Sequence, residues 1–247
     1  MQHHLKTILL ATLALMPIFG LAQGDLEIVF NPDNYSFSPH EKAHIESIIR
    51  NFEAEVRTLL PNLPTGIRVS VSPLFRDVSS VGGVTGRADD PVSISIYIST
   101  VFEGGITAAS DTGLAPALYH EFHHLAHGWS IEGNRFGPGI PTAAINEGLA
   151  NVFSEIHTNT AFEGNAPPAN ACQWWHEINS LPLDASYGDW MVKHPDGRDA
   201  IGYRAGSYII RIALANSGLS IIELSQKSIA QIQRLVGMAA SSRTGCS

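Results

Sequence analysis

His120 and His124 stand four residues apart in the segment Tyr119-His120-Glu121-Phe122-His123-His124. On a helix that spacing is just over one turn, so both imidazoles leave one face and can converge on a single ion. Two neutral imidazoles are good zinc ligands. Glu121, beside the first of them, can reach a water on that ion and serve as its general base. A catalytic zinc site also needs a third protein ligand and one open position. The segment Ile145-Asn146-Glu147-Gly148-Leu149-Ala150-Asn151 supplies a carboxylate, Glu147, 23 residues after His124. That interval leaves room for a loop and a return helix. Glu147 is the expected third ligand, with His127, Glu155 and His157 as alternatives. His123 points to another face and reads as structural. Asn151, one turn beyond Glu147, can accept a hydrogen bond from the free ring N–H of a ligand histidine.

The elements that must position these residues follow from periodicity. A helix is expected from about Pro116 to His127, stopped by Gly128, and a second from about Thr142 to His157, after a Gly/Pro loop over 133–141. Upstream, Leu26–Phe30 reads as a short strand. Ser38-Pro39-His40-Glu41 has the form of a capping box that opens a helix carrying Ile45, Ile48, Ile49, Phe52, Val56, Leu59 and Leu60. Ile67–Ser72 and Val92–Val101 alternate as strands do, with Ser79–Asp90 a Gly-rich connection between them. The Val92–Val101 strand is expected at the cleft edge, where an extended peptide can pair with it. Thr158–Gly197 reads as a long irregular stretch. Arg198–Asn216 is helical and closed by Gly218, and Ser220–Val236 holds one or two short helices. Strands first and helices afterwards indicate an α+β fold with a small sheet and a mainly helical C-terminal half.

The three blocks Tyr119–His124, Glu147-Gly148-Leu149-Ala150 and Gly202-Tyr203-Arg204-Ala205-Gly206, the last continuing through Ser220–Leu224, carry a resemblance. The first two resemble the zincin peptidases, in particular the gluzincins, whose third ligand is a glutamate on a following helix. All three together resemble a bacterial domain-of-unknown-function family of predicted zinc-dependent proteases. That resemblance implies a zincin-like fold, one zinc per chain held by His120, His124 and Glu147, and hydrolysis of a peptide or protein substrate with Glu121 as general base. It also marks Tyr203 as a hydroxyl donor to the developing oxyanion, the other reading being a helix-packing tyrosine. Arg204, His176 and His194 are weaker candidates for that role, and Trp174 and Trp175 either line a cleft or cap the core. Where gluzincins carry a further acid behind a ligand histidine, this chain has Asn151. An amide carbonyl orients an imidazole but does not raise its basicity as a carboxylate does. The metzincin pattern would need glycine at His127 and histidine at Ser130. Two other functions fit the same motifs: an exported zinc-binding module without hydrolytic activity, and a zinc hydrolase acting on a non-protein amide.

The remainder of the chain bounds these readings. Lys6 and the apolar run Ile8–Leu21, with small residues at Gly20 and Ala22, read as a cleaved signal peptide over residues 1–22, the alternative being an uncleaved anchor. Cleavage after residue 22 leaves 225 of the 247 residues as one catalytic domain, 23–247, with a sheet-containing lobe over about 23–130 and a helical lobe over about 131–247. The product is expected to be periplasmic or secreted, with no stable membrane insertion. The net charge of −8, becoming −9 without Lys6, comes with no basic block and argues against nucleic acid as a partner. Cys172 and Cys246 are the two cysteines, and in an exported protein they are expected to pair, two free thiols being the alternative.

Overall fold

The computed structural model describes residues 25–237. The signal-peptide reading and Cys246 therefore lie outside the described residues. Cys172 is buried at the start of a helix.

The fold is α+β. Strand β1 (Glu27–Phe30) leads into helix α1 (Pro39–Leu59), where Ser38 and Glu41 close the expected capping box: Glu41 N–H donates to Ser38 Oγ and Ser38 N–H to Glu41 Oε2. Strands β2 (Arg68–Leu74), β3 (Val84–Asp90) and β4 (Ser93–Ser99) complete a four-stranded sheet in the order β1-β2-β4-β3. β1, β2 and β4 run parallel, and β3 pairs antiparallel with β4, Gly86 standing opposite Ile96.

Two expectations are corrected here. Residues 79–90 are not a mere connection: a short 3₁₀ turn over Ser79–Val81 precedes β3. β4 is consequently an inner strand, and the cleft edge belongs to β3. The β3 sequence hides its nature because only Val84 and Ala88 are buried apolar side chains, while Gly86 between them offers nothing to a periodicity reading. β4 has the stronger alternation because Ile94, Ile96 and Ile98 all point into the core.

The helical half begins with α2 (Gly105–Ala109), a π-turn over Ser110–Leu114 and α3 (Ala115–His127), which run on as one helix, so helical backbone starts well before Pro116. After a loop come α4 (Ile140–Thr158), α5 (Ala171–Asn179), a second π-turn over Gly188–Val192, α6 (Ile201–Ser217), α7 (Ile221–Ser225) and α8 (Ile229–Val236). α5 corrects the irregular reading of 158–197. Its buried Trp174, Trp175 and Ile178 form a helical stripe, but nine residues are too few for that stripe to stand out. The tryptophans thus belong to the core. One apolar core joins Val69, Val71, Ile94, Ile96 and Ile98 of the sheet to Ile45 and Ile49 of α1, Phe122 of α3, Phe153 of α4 and Ile209 of α6. At about 25 cal/mol per Å² of apolar surface, such side chains each contribute roughly 1.5–3 kcal/mol. Among the described residues, no helix is long and apolar enough to cross a membrane.

Candidate metal centre

Helix α3 carries the first two candidate ligands. Its C-terminal turn is closed by Gly128, which adopts a left-handed φ of 70° and donates its N–H to His124 and Leu125 carbonyls. This ends the helix at His127 and turns the chain into the loop toward α4. α4 packs across α3 and α6 packs on α4. The second crossing is made by two glycines: a Cβ on Gly206 would collide with the Ala144 carbonyl, and one on Gly148 with the Gly206 backbone. Side chains at those positions would push the helices apart. With glycines there, Glu147 of α4 and Tyr203 of α6 are brought over the histidines of α3.

His120, His124 and Glu147 converge. His124 Nε2 lies 2.9 Å from His120 Nε2, and Glu147 Oε2 lies 3.0 Å from each. These three atoms form a group that can hold a metal ion. Their chemistry fits one: two imidazole nitrogens and a carboxylate oxygen face a common point, and a triangle of this size leaves a position about 2 Å from all three, the length of bonds from zinc to nitrogen or oxygen. His127, Glu155 and His157 are elsewhere. The His127 ring packs on His123 at 4.3 Å, Glu155 pairs with Arg211, and His157 lies against Phe153 and Tyr119.

The surroundings differentiate the two carboxylates. Burial alone would raise Glu147, but His124 and His120 outweigh it and hold the carboxyl well below the usual carboxylate range. Burial pushes Glu121 upward; His120 and His124 oppose this, and Glu147 and Asp89 reinforce it. One carboxylate is thus held as an anion and the other biased toward accepting a proton, the division that acid–base sites use. Burial disfavours charge on His120, yet Glu147, Glu121 and Asn151 more than compensate and the net shift is upward. Asn151 therefore acts on His120, while its own amide N–H donates to Ser207 Oγ at 3.2 Å. Burial is the main cause that keeps His123 and His127 uncharged, His127 falling to about 4.

Glu121 is 4% exposed, and its Oε2 has no hydrogen-bond partner among the described residues. A buried, unpartnered carboxylate oxygen is costly unless something is to be bound there. The carboxylate rests on Gly86 of β3: a Cβ on that glycine would lie 2.5 Å from Glu121 Cγ and 2.6 Å from Oε1. Two cavities, of about 400 Å³ and about 920 Å³, meet at Gly86, His120, Glu121 and Tyr203.

Tyr203 stacks on His120, ring centroids 6.4 Å apart, and its hydroxyl is hydrogen-bonded to Tyr187. Burial and the nearby Glu147 keep the Tyr203 phenol protonated well above its ordinary range. The other proposed donors do not line these cavities. Arg204 donates to the Ala166 carbonyl and lies over Trp174, and His194 contacts Asp196 and Trp190. Three residues at the site carry no motif and escape sequence reasoning. Trp129 donates its Nε1–H to Glu147 Oε1 at 2.9 Å, leaving Oε2 for the histidines. Gly86 accommodates Glu121, and Tyr187 partners Tyr203. The one signal that points toward the α3–α4 loop, where Trp129 lies, is the need of a metal-binding carboxylate for an orienting donor. Searches among protein-family models, characterised proteins and solved structures find no match to this chain, so the resemblance to zinc peptidases rests on the motif residues themselves.

Proposed function

We propose that the protein is an exported zinc-dependent peptidase. The observation that carries this reading is the meeting of His120, His124 and Glu147 beside a buried, unpartnered Glu121 carboxylate in an open cleft. Two imidazoles with one glutamate is a ligand set that zinc favours in hydrolases. The ion would acidify a water and polarise a substrate carbonyl.

The chain's own residues supply the rest. Glu121 takes a proton from the attacking water as its oxygen adds to the carbonyl carbon. The same carboxyl then gives that proton to the departing amine as the C–N bond breaks, so a carboxylic acid and an amine leave and Glu121 is regenerated. Tyr203, held protonated, donates its hydroxyl hydrogen bond to the oxyanion. Trp129 fixes the rotation of the Glu147 carboxylate. The outer edge of β3 offers backbone groups to an extended substrate. The Lys6-led apolar segment supports placing the activity outside the cytoplasm.

The test is hydrolysis of a diverse peptide pool by purified protein before and after chelation, and after zinc is restored. Cleavage that disappears with chelation and returns with zinc supports the proposal. A fully zinc-loaded protein that cleaves no peptide would contradict it and favour a zinc-binding module.

A further inference from the structure

One half of the β3 edge is already taken. Ile131 N–H donates to the Ala88 carbonyl at 3.0 Å and Glu132 N–H to the Asp89 carbonyl at 2.8 Å. The α3–α4 loop therefore lies against the end of the strand as a plug. Nearer its start the strand is arranged differently. Ser99 N–H of β4 donates to the Gly83 carbonyl at 2.8 Å. In the alternating ladder of an antiparallel pair this turns residues 83, 85 and 87 toward β4, and the N–H and C=O groups of Val84, Gly86 and Ala88 outward. Gly86 is the outward residue set against Glu121, and Ala88, the next one, is already bonded to the plug.

We propose that the plug formed by Ile131 and Glu132 restricts the enzyme to peptide bonds within about three residues of a substrate's free amino end. This rests on the peptidase reading above. An extended chain added to β3 pairs best antiparallel. Its amino-terminal direction then runs from Gly86 toward Asp90, into the plug. From Gly86 to Ala88 is two residues, about 7 Å of strand, which leaves room for about two substrate residues on that side. In the other direction the strand edge continues to Val84 and the smaller cavity, which Phe162 borders, on the side away from the plug. The plug also suits a chain end. Ile131, 64% exposed, lines the larger cavity and offers an apolar contact for the first side chain.

The experiment maps cleavage positions by mass spectrometry for zinc-loaded protein acting on long mixed-sequence peptides with free amino ends. A matched series moves one cleaved sequence inward by amino-terminal extension. Cuts are expected only near the amino end, with extension slowing hydrolysis by about tenfold or more as the strand-edge hydrogen bonds are lost. The double variant Ile131→Pro/Glu132→Pro removes both donor N–H groups and is expected to raise internal cleavage. If that variant fails to fold, the extension series decides alone. Zinc-dependent cleavage at internal bonds as fast as at terminal ones would overturn the restriction and leave the peptidase reading standing. Absence of any cleavage by zinc-loaded protein would overturn both.

Discussion

At the scale of single residues, the chemistry divides by how each group is held. Glu147 is an anion pinned by Trp129 and two histidines, whereas Glu121 is buried beside them with a free oxygen. The spacing of His120, Glu121 and His124 makes these three legible in the amino-acid sequence, because one helical turn fixes their relation locally. Glu147 and Asn151 are legible as a second local group. Trp129, Gly86 and Tyr187 are not, since each reaches the site only through tertiary packing. Gly86 provides a sharp test. Gly86→Ala places a methyl where Glu121 now rests. The carboxylate must move, and a displacement of about 1 Å can cost on the order of 100-fold in rate. The expected outcome is a large fall in kcat with zinc content preserved, measured by steady-state kinetics and metal analysis; an unchanged kcat would show that Glu121 is not held by this contact.

At the scale of elements, helices with complete caps and long apolar stripes are readable from sequence. The Ser38 capping box and the Gly128 and Gly218 stops all mark real ends. β3 and α5 are not readable, one because glycine and charged residues break its alternation, the other because it is short. The π-turn over Ser110–Leu114 has no sequence signal, and it carries helical backbone from Gly105 into α3. The α4–α6 crossing depends on Gly148 and Gly206, whose backbones touch. Gly206→Ala should therefore overpack this crossing by about 3 kcal/mol, at the upper end for such changes. For a chain of this length that lowers Tm by roughly 6–12 °C. Calorimetry measures it, and a loss below the reproducibility of the scan would show that the crossing relaxes freely.

At the scale of the whole molecule, a single apolar core binds the sheet to the helical half, and the candidate metal ligands sit on two helices of that core. Ion binding should therefore stabilise the entire fold rather than a loop. With free zinc at about a thousand times its dissociation constant, linkage contributes about 4 kcal/mol. Chelation is then expected to lower Tm on the order of 10 °C. Scanning calorimetry with and without chelator checks this, and identical melting curves would mean that the fold does not bind zinc. The fold class is legible at this scale because strands precede helices in the chain. The position of β3 at the cleft edge is not, because sheet order depends on long-range pairing that no local pattern records.

The central claim, that Glu121 acts as a base beside a metal held by His120, His124 and Glu147, is tested most directly by Glu121→Gln. The substitution keeps size and removes the basic oxygen without touching the three ligand atoms. Zinc content and peptide hydrolysis are measured on the same wild-type and variant preparations. The expected result is equal zinc content with hydrolysis reduced by about 100- to 10,000-fold. Hydrolysis that persists at the wild-type rate in the zinc-loaded variant would contradict the assignment.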